Sequence, residues 1–153
     1  MIEVEIEADA WTDALPDAEA VVERAALAAQ GGVAGDLVIL LTDNEAVQVL
    51  NGRFRGKDKP TNVLSFPGGD MPMPGAPVHL GDIVLAFCVC RDEAEAQGKS
   101  LANHLTHLVI HGVLHVLGRD HEDEAEAEAM EAEERVLLAS LGVADPYILP
   151  DDR

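Results

Sequence analysis

The sequence 111-HGVLHVLGRDH-121 places three histidines, His111, His115 and His121, at spacings of four and six residues. In an α-helix, residues four apart lie on the same face, so the imidazoles of His111 and His115 can point to one place. Gly118 can adopt the left-handed conformation that ends helices, which lets the chain turn and bring His121 back. Three imidazoles that meet in this way are typical of a zinc site with an open fourth position.

The helix that carries these histidines is expected to cross the centre of the fold. The hydroxyl of Ser100 can cap its start, and its apolar residues surround the axis almost completely, as in a buried helix. Its one polar stripe consists of His104, His107, His111 and His115. His107 and His104 are therefore candidates to orient a metal ligand or contact substrate, and each is equally well explained as a buried histidine.

The chain of 153 residues predicts one domain, 1–153, with an α/β (α+β) fold. Hydrophobic patterning predicts a small mixed four-stranded sheet and about five helices. The predicted strands are 1–7, 36–41, 63–66 and 81–87, and the predicted helices are 16–30, 42–54, 93–98, 100–117 and 122–141. The second strand is expected to be covered on both faces. The last helix is expected to turn Met130 and Leu138 inward and its glutamates outward.

The composition limits the classes of function. Asp and Glu number 29 against 10 Lys and Arg, a net charge of −19 that should repel nucleic acid and anionic membranes as a whole. Aromatic residues are only 3%, which argues against a protein that binds bases on an aromatic platform. The absence of a signal peptide or long apolar segment, with Cys88 and Cys90 best explained as core thiols, predicts a cytoplasmic protein without membrane contact.

One short segment opposes this acidic balance. Four of the ten basic residues lie within seven positions, and they are Arg53, Arg55, Lys57 and Lys59. The planar guanidinium of Arg55 suits two phosphate oxygens, and the lysines add less directional charge. The alternative is that these are solvated loop charges.

The residue directly after the first histidine decides against ordinary peptidase chemistry. The three-histidine spacing is that of metzincin proteases, but Gly112 stands where those enzymes carry their general-base glutamate. A phosphodiester substrate brings its own charge and a good leaving oxygen. The sequence therefore favours a metal-dependent phosphodiesterase, with water as the candidate nucleophile and Arg55, with Lys57 as a second candidate, stabilising charge on the phosphoryl oxygens.

Several motifs together resemble one known family. They are 51-NGRFRGKDKPTNVLSFP-67, 80-LGDI-83, 111-HGVLHVLGRDH-121 and the C-terminal 145-DPY-147, in the order and spacing of the YbeY-type endoribonucleases, the bacterial rRNA maturation factors. Two positions depart from the family pattern: Arg119 stands where Tyr is usual, and Asn62 where Asp is common. Arg119 and Asp120, beside the metal loop, become candidates to contact substrate or support a ligand.

The resemblance implies a single-domain α/β fold with a zincin-like metal site and metal-dependent cleavage of single-stranded RNA. It also implies a role in 3′-end maturation of 16S rRNA and in ribosome quality control, with small-subunit assembly components as partners. Carried over by position, His111, His115 and His121 match the ligands of one Zn²⁺ per chain, and Arg55 matches the functional arginine. Another divalent transition metal that favours imidazole is also compatible with three histidines.

Two other functions remain open from the sequence. One is a metallohydrolase of a non-RNA substrate, such as a metzincin-like peptidase. The other is a non-catalytic ribosome-assembly factor in which a structural zinc stabilises the fold and the acidic last helix docks on a basic protein.

Overall fold

The computed structural model describes residues 2–57, 59, 61–68, 79–118 and 124–143. Its sheet has four strands in the spatial order β1-β2-β4-β3, and they are β1 (Ile2–Ile6), β2 (Asp36–Thr42), β3 (Val63–Pro67) and β4 (His79–Ala86). β1, β2 and β4 run parallel, and β3 pairs antiparallel with β4 at one edge. This confirms the mixed four-stranded sheet predicted from the sequence.

The described part of the chain contains six helices, one more than predicted. They are α1 (Asp9–Ala14), α2 (Ala18–Gln30), α3 (Asn44–Arg55), α4 (Phe87–Ala96), α5 (Leu101–Val116) and α6 (Glu124–Ser140). The additional helix, α1, has no side-chain cap at its start, so no local capping pattern in the sequence predicts it. It is held by the fully buried Trp11, whose ring packs edge-on against Phe87 and whose indole N–H donates to the Thr42 carbonyl at 2.9 Å.

The start of α3 also differs from the prediction. The sequence suggested Thr42 as the helix cap, but Thr42 remains in β2, paired with Ala86 of β4. The carboxylate of Asp43 caps the helix instead and accepts a hydrogen bond from the Ala46 amide at 2.9 Å. A β-branched residue that stays in the sheet leaves the capping position to the next polar side chain.

The two faces of the sheet are covered unequally. One face carries the fully buried Leu37, Ile39 and Leu41 of β2, which form the main core with α2 and α5. The other face carries a smaller cluster beneath α3, and Val38 and Leu40 there are only partly buried. The expectation that β2 is covered on both faces was therefore wrong, because α3 shields only part of the second face.

The histidine-bearing helix α5 lies against this main core, as predicted. Ser100 caps it, since the Ser100 hydroxyl accepts from the Asn103 amide at 3.1 Å. Gly118, with a positive φ of 98°, follows its end and donates its amide to the His115 carbonyl at 3.0 Å. The helix therefore ends where the glycine predicted, immediately after the histidines.

Both cysteines are free thiols. Cys90 is fully buried, and burial raises the pKa of its thiol well above its usual range, with the negative charge of Glu93 adding to the effect. Such a thiol stays protonated and behaves as a core residue. None of the helices in the described ranges has the length and apolar character needed to span a bilayer.

Candidate metal centre

The four histidines of α5 form one continuous row. The ring centroids of His104 and His107 are 6.4 Å apart, those of His107 and His111 are 6.5 Å apart, and those of His111 and His115 are 5.1 Å apart. This confirms the single polar stripe expected from helical spacing. The closest pair is His111 and His115, two of the three residues predicted to bind the metal, and both are partly exposed.

A carboxylate from another helix holds the middle of this row. Glu134 of α6 is fully buried, and its Oε1 lies 2.7 Å from Nδ1 of His111. Its second oxygen, Oε2, lies 3.0 Å from Nε2 of His107. An ionised carboxylate can only accept hydrogen bonds, so each ring nitrogen that faces Glu134 must carry a proton. The two histidines thus satisfy a charge that would be very costly to bury alone.

With Glu134 ionised, this contact assigns the proton of a neutral His111 ring to Nδ1. With the proton on Nδ1, the lone pair of the neutral ring lies on Nε2. Metal-binding histidines in proteins usually donate their other N–H to a carboxylate or carbonyl in this way, which orients the ring and strengthens the ligand. The donor set therefore fits an imidazole-binding metal, with His111 prepared as a ligand before any metal binds.

Glu134 is the site residue that the sequence interpretation missed. The glutamates of the last helix were expected to face solvent, and for Glu134 that expectation was wrong. It lies four residues from Met130 and four from Leu138, both of them buried, so it belongs to the inward stripe of α6. The four-residue spacing from Met130 and Leu138 could have predicted that Glu134 points inward. The many other glutamates on the helix made it look like part of the solvent-facing side.

His104 belongs to a separate buried network. Its Nε2 lies 2.9 Å from Oε1 of Glu93 on α4, and the Asn62 side-chain amide donates to the same oxygen at 3.0 Å. Burial lowers the pKa of His104 in spite of the opposing attraction of Glu93, since only 3% of the residue is exposed. The geometry therefore favours the buried-histidine interpretation for His104, whereas His107 shares Glu134 with a predicted ligand.

Asn62 fits this network for a simple reason. Its Nδ2 faces Glu93, and its Oδ1 accepts from the Val63 amide at 2.6 Å where β3 begins. The Asn62 amide supplies both the donor for Glu93 and the acceptor for the Val63 amide. An aspartate, common at this position in the resembling family, would place a second negative charge beside Glu93 and be repelled by it.

The remaining predicted site residues are not all described. His121, Arg119 and Asp120 lie outside the described residues, as does the side chain of Arg55, the last residue of α3. Among the residues that are described, no group of three or more His, Cys, Asp or Glu side chains converges as a complete metal site. The structure thus brings together two of the three predicted ligands, and the third stays a prediction.

The close packing around Gly112 explains why a glycine follows the first predicted ligand, His111. A Cβ atom at this position would lie 3.0 Å from Cγ2 of Ile83 and 3.1 Å from Oγ of Ser65. Both distances are tighter than ordinary contact, so helix and sheet approach closely here. A glutamate side chain, which a metzincin carries at this position, would meet the sheet, so the structure leaves little room here for that general base.

The basic segment 53–59, which spans the end of α3 and the residues after it, is held by local hydrogen bonds. Gly56, with φ of 71°, ends the helix, and the buried side chain of Asn51 donates to the Lys59 carbonyl at 2.9 Å. The side chains of Arg53, Lys57 and Lys59 are exposed. Their exposure makes these charges accessible to an anion in solvent.

Known proteins resemble the chain over nearly its whole length. A family model described as Endoribonuclease YbeY matches residues 3–142. The Endoribonuclease YbeY of Paramagnetospirillum magneticum is 54% identical over 155 residues, covering 95% of this chain and 94% of that protein. The Endoribonuclease YbeY of Azorhizobium caulinodans is 50% identical over 155 residues, covering 97% of each.

A solved structure shares the fold. The solution structure of TM1509 from Thermotoga maritima has a TM-score of 0.54 at 23% identity and covers 97% of this chain and 99% of that one. At this identity the likeness concerns the fold alone, and it agrees with the sheet and helices described above.

Proposed function

The chain belongs to the YbeY family of endoribonucleases, and from this premise we propose that it cleaves single-stranded RNA with the help of one bound metal ion. The observation that carries the proposal is the His111–His115 pair, with the tautomer of His111 set by the buried carboxylate of Glu134. Family membership supports the reaction class, and the closeness of His111 and His115 supports the choice of metal ligands.

His111, His115 and His121 are the proposed metal ligands. Three neutral imidazoles suit Zn²⁺, and Ni²⁺ or Cu²⁺ are the competing ions. When bound, such an ion supplies Lewis acidity to a phosphodiester. Glu134 orients the His111 ring through one carboxylate oxygen. Its other oxygen contacts His107, so both histidines share one buried carboxylate.

Arg55 is the proposed phosphate-binding residue. A guanidinium presents two parallel N–H groups to phosphoryl oxygens and stabilises charge that develops on them during cleavage. Lys57 is exposed on the same segment and adds positive charge. Arg119 and Asp120 are further candidates at the metal loop, because they stand next to His121 in the sequence.

The proposed biological role follows the family resemblance. It is maturation of the 3′ end of 16S rRNA and ribosome quality control in the cytoplasm, in contact with small-subunit assembly components. We assign this role to one domain comprising residues 1–153. The small basic segment in a chain of net charge −19 supports local rather than general contact with RNA.

The test is cleavage of a single-stranded RNA and a structured rRNA fragment by the purified, metal-loaded protein. Wild type should cut unpaired regions, Arg55→Ala should cut much more slowly while keeping its metal, and Arg24→Ala, which removes an exposed arginine on α2, should match wild type. If water attacks, the products carry no 2′,3′-cyclic phosphate, whereas that end group would identify the ribose 2′-hydroxyl as the nucleophile.

Two outcomes would contradict the proposal. Equal cleavage by wild type and Arg55→Ala would remove the arginine from the reaction. No cleavage by metal-loaded wild type, together with rRNA maturation that survives Arg55→Glu in cells, would favour the non-catalytic assembly factor.

A further inference from the structure

The partly covered face of the sheet contains an open groove. Its volume is about 430 Å³, and it lies between α3 and residues from all four strands of the sheet. Most of its lining is apolar, and the lining residues are Glu5, Val38, Leu40, Leu50, Phe54, Phe66, Asp82, Ile83 and Val84. This is the face on which β2 is only partly buried.

Two of the chain's few aromatic residues meet at this groove. Phe54 at the end of α3 is 60% exposed, and its ring contacts Phe66 of β3 edge-on, with centroids 5.5 Å apart. The guanidinium of Arg53 lies 5.6 Å from the Phe54 ring centroid. The other pair, Trp11 and Phe87, is buried in the core. The low aromatic content argues against a platform of several stacked bases, whereas the exposed Phe54 ring is enough for one base.

The charges around the groove are separated. Its lining includes the carboxylates of Glu5 and Asp82, whereas exposed cations stand on the adjoining segment at Arg53, Lys57 and Lys59. Carboxylates repel phosphate but accept hydrogen bonds from the amino groups of bases. The basic segment, in contrast, attracts phosphate. The groove therefore suits a base, and the neighbouring basic segment of the protein suits the phosphates of the same RNA strand.

We propose that this groove holds one unpaired RNA base, stacked on Phe54, while the flanking phosphates lie along the basic segment. The proposal rests on the proposed nuclease function and adds a subsite to it. Stacking on an aromatic ring requires a base released from its pair, so the subsite gives a physical reason for single-strand specificity.

The proposed subsite and the histidines lie on opposite faces of the sheet, on either side of the edge strand β3. Phe66, in the groove, directly follows Ser65, and Ser65 lies next to Gly112 between the two histidine ligands. In the part of the sheet that the structure describes, β3 is an edge strand, and we expect the RNA strand to pass around it from the groove toward α5. A duplex is too stiff and too wide to do so.

The experiment uses Phe54→Trp in the metal-loaded protein. Base stacking on the new indole should quench its fluorescence when a single-stranded oligoribonucleotide is added, read by stopped flow before cleavage products accumulate. Trp11 is fully buried and gives a constant background. Val49→Trp is the matched control, because Val49 is 64% exposed on the same helix but does not line the groove.

An abasic oligomer of equal length and a duplex of the same sequence should both leave the Phe54→Trp signal unchanged. Phe54→Leu should lower the affinity for the single strand by about 5-fold to about 150-fold, the range for one stacked base. Equal quenching by the abasic oligomer, equal quenching of Val49→Trp, or unchanged affinity of Phe54→Leu would each overturn the proposal. RNA cleavage without quenching would refute the subsite alone, whereas quenching without cleavage would refute the nuclease function alone.

Discussion

The two ends of α5 carry similar groups in different environments. Near its start, His104 faces Glu93 of α4, and 3% of the histidine is exposed. Near its end, His111 faces Glu134 of α6, and 30% of its side chain is exposed. Each histidine has a carboxylate partner from another helix, so pairing does not distinguish the two.

The difference lies in which group is buried. At the start of α5 the histidine is enclosed and its carboxylate is about one-third exposed, whereas at the end the carboxylate is enclosed and the histidine is accessible. A buried carboxylate orients an accessible imidazole so that it can bind a metal ion, whereas an enclosed imidazole only contributes to packing. Four experiments test this distinction, from the largest expected effect to the smallest.

Removing a ligand should have the largest effect. His115→Ala is expected to lower zinc affinity more than the roughly 10- to 100-fold typical for loss of an outer partner. RNA cleavage should fall with it. Isothermal titration with Zn²⁺ measures the first and gel analysis of RNA the second. His104→Gln, at the other end of the helix, should bind zinc like wild type, and equal losses in both variants would erase the distinction.

Changing the buried carboxylate should have the next largest effect. In Glu134→Gln the amide oxygen can accept from one histidine, but its NH₂ group then faces the N–H of the other. We expect metal affinity to fall about 10- to 100-fold with helix content retained by circular dichroism. Glu128→Gln, an exposed change on the same helix, is the control. A wild-type affinity for Glu134→Gln would mean that His111 needs no positioning.

The enclosed histidine should make stability depend on pH. The pKa of His104 in the fold lies below its value in the unfolded chain, so on acidification the unfolded chain takes up the proton first. This contribution is complete above about pH 6.5 and is lost as the pH falls below it. In urea unfolding, wild type should lose stability between pH 7 and 5 more steeply than His104→Gln, by at most about 1.4 kcal/mol per pH unit. A slope for His104→Gln that coincides with wild type would show that His104 titrates as if it were exposed.

The smallest effect is expected at Asn62. Asn62→Asp places a second carboxylate within about 3.0 Å of Oε1 of Glu93, beside His104. The added negative charge should raise the pKa of His104 and cost at most about 1 kcal/mol of stability at pH 8, because the pair is partly solvated. NMR titration of the His104 ring protons measures the shift. A downward shift would contradict the assigned network.

Local chemistry was enough to predict much of this protein. The spacing of His111 and His115 predicted a shared face, Gly118 predicted the helix end, and hydrophobic patterning predicted the four strands. These features depend on helix and strand periods and on backbone preferences, which act over a few residues. For that reason the sequence alone could determine them.

Other features depended on residues that are distant along the chain. Glu134 became part of the site only because α6 packs its inward stripe against α5, and Phe54 became exposed only because α3 covers part of the sheet. His104 and His111 look alike in sequence, and the burial of their partners separates their roles. The sequence by itself determined which groups are available, whereas the tertiary structure decided which are enclosed, because burial depends on how separate elements pack together.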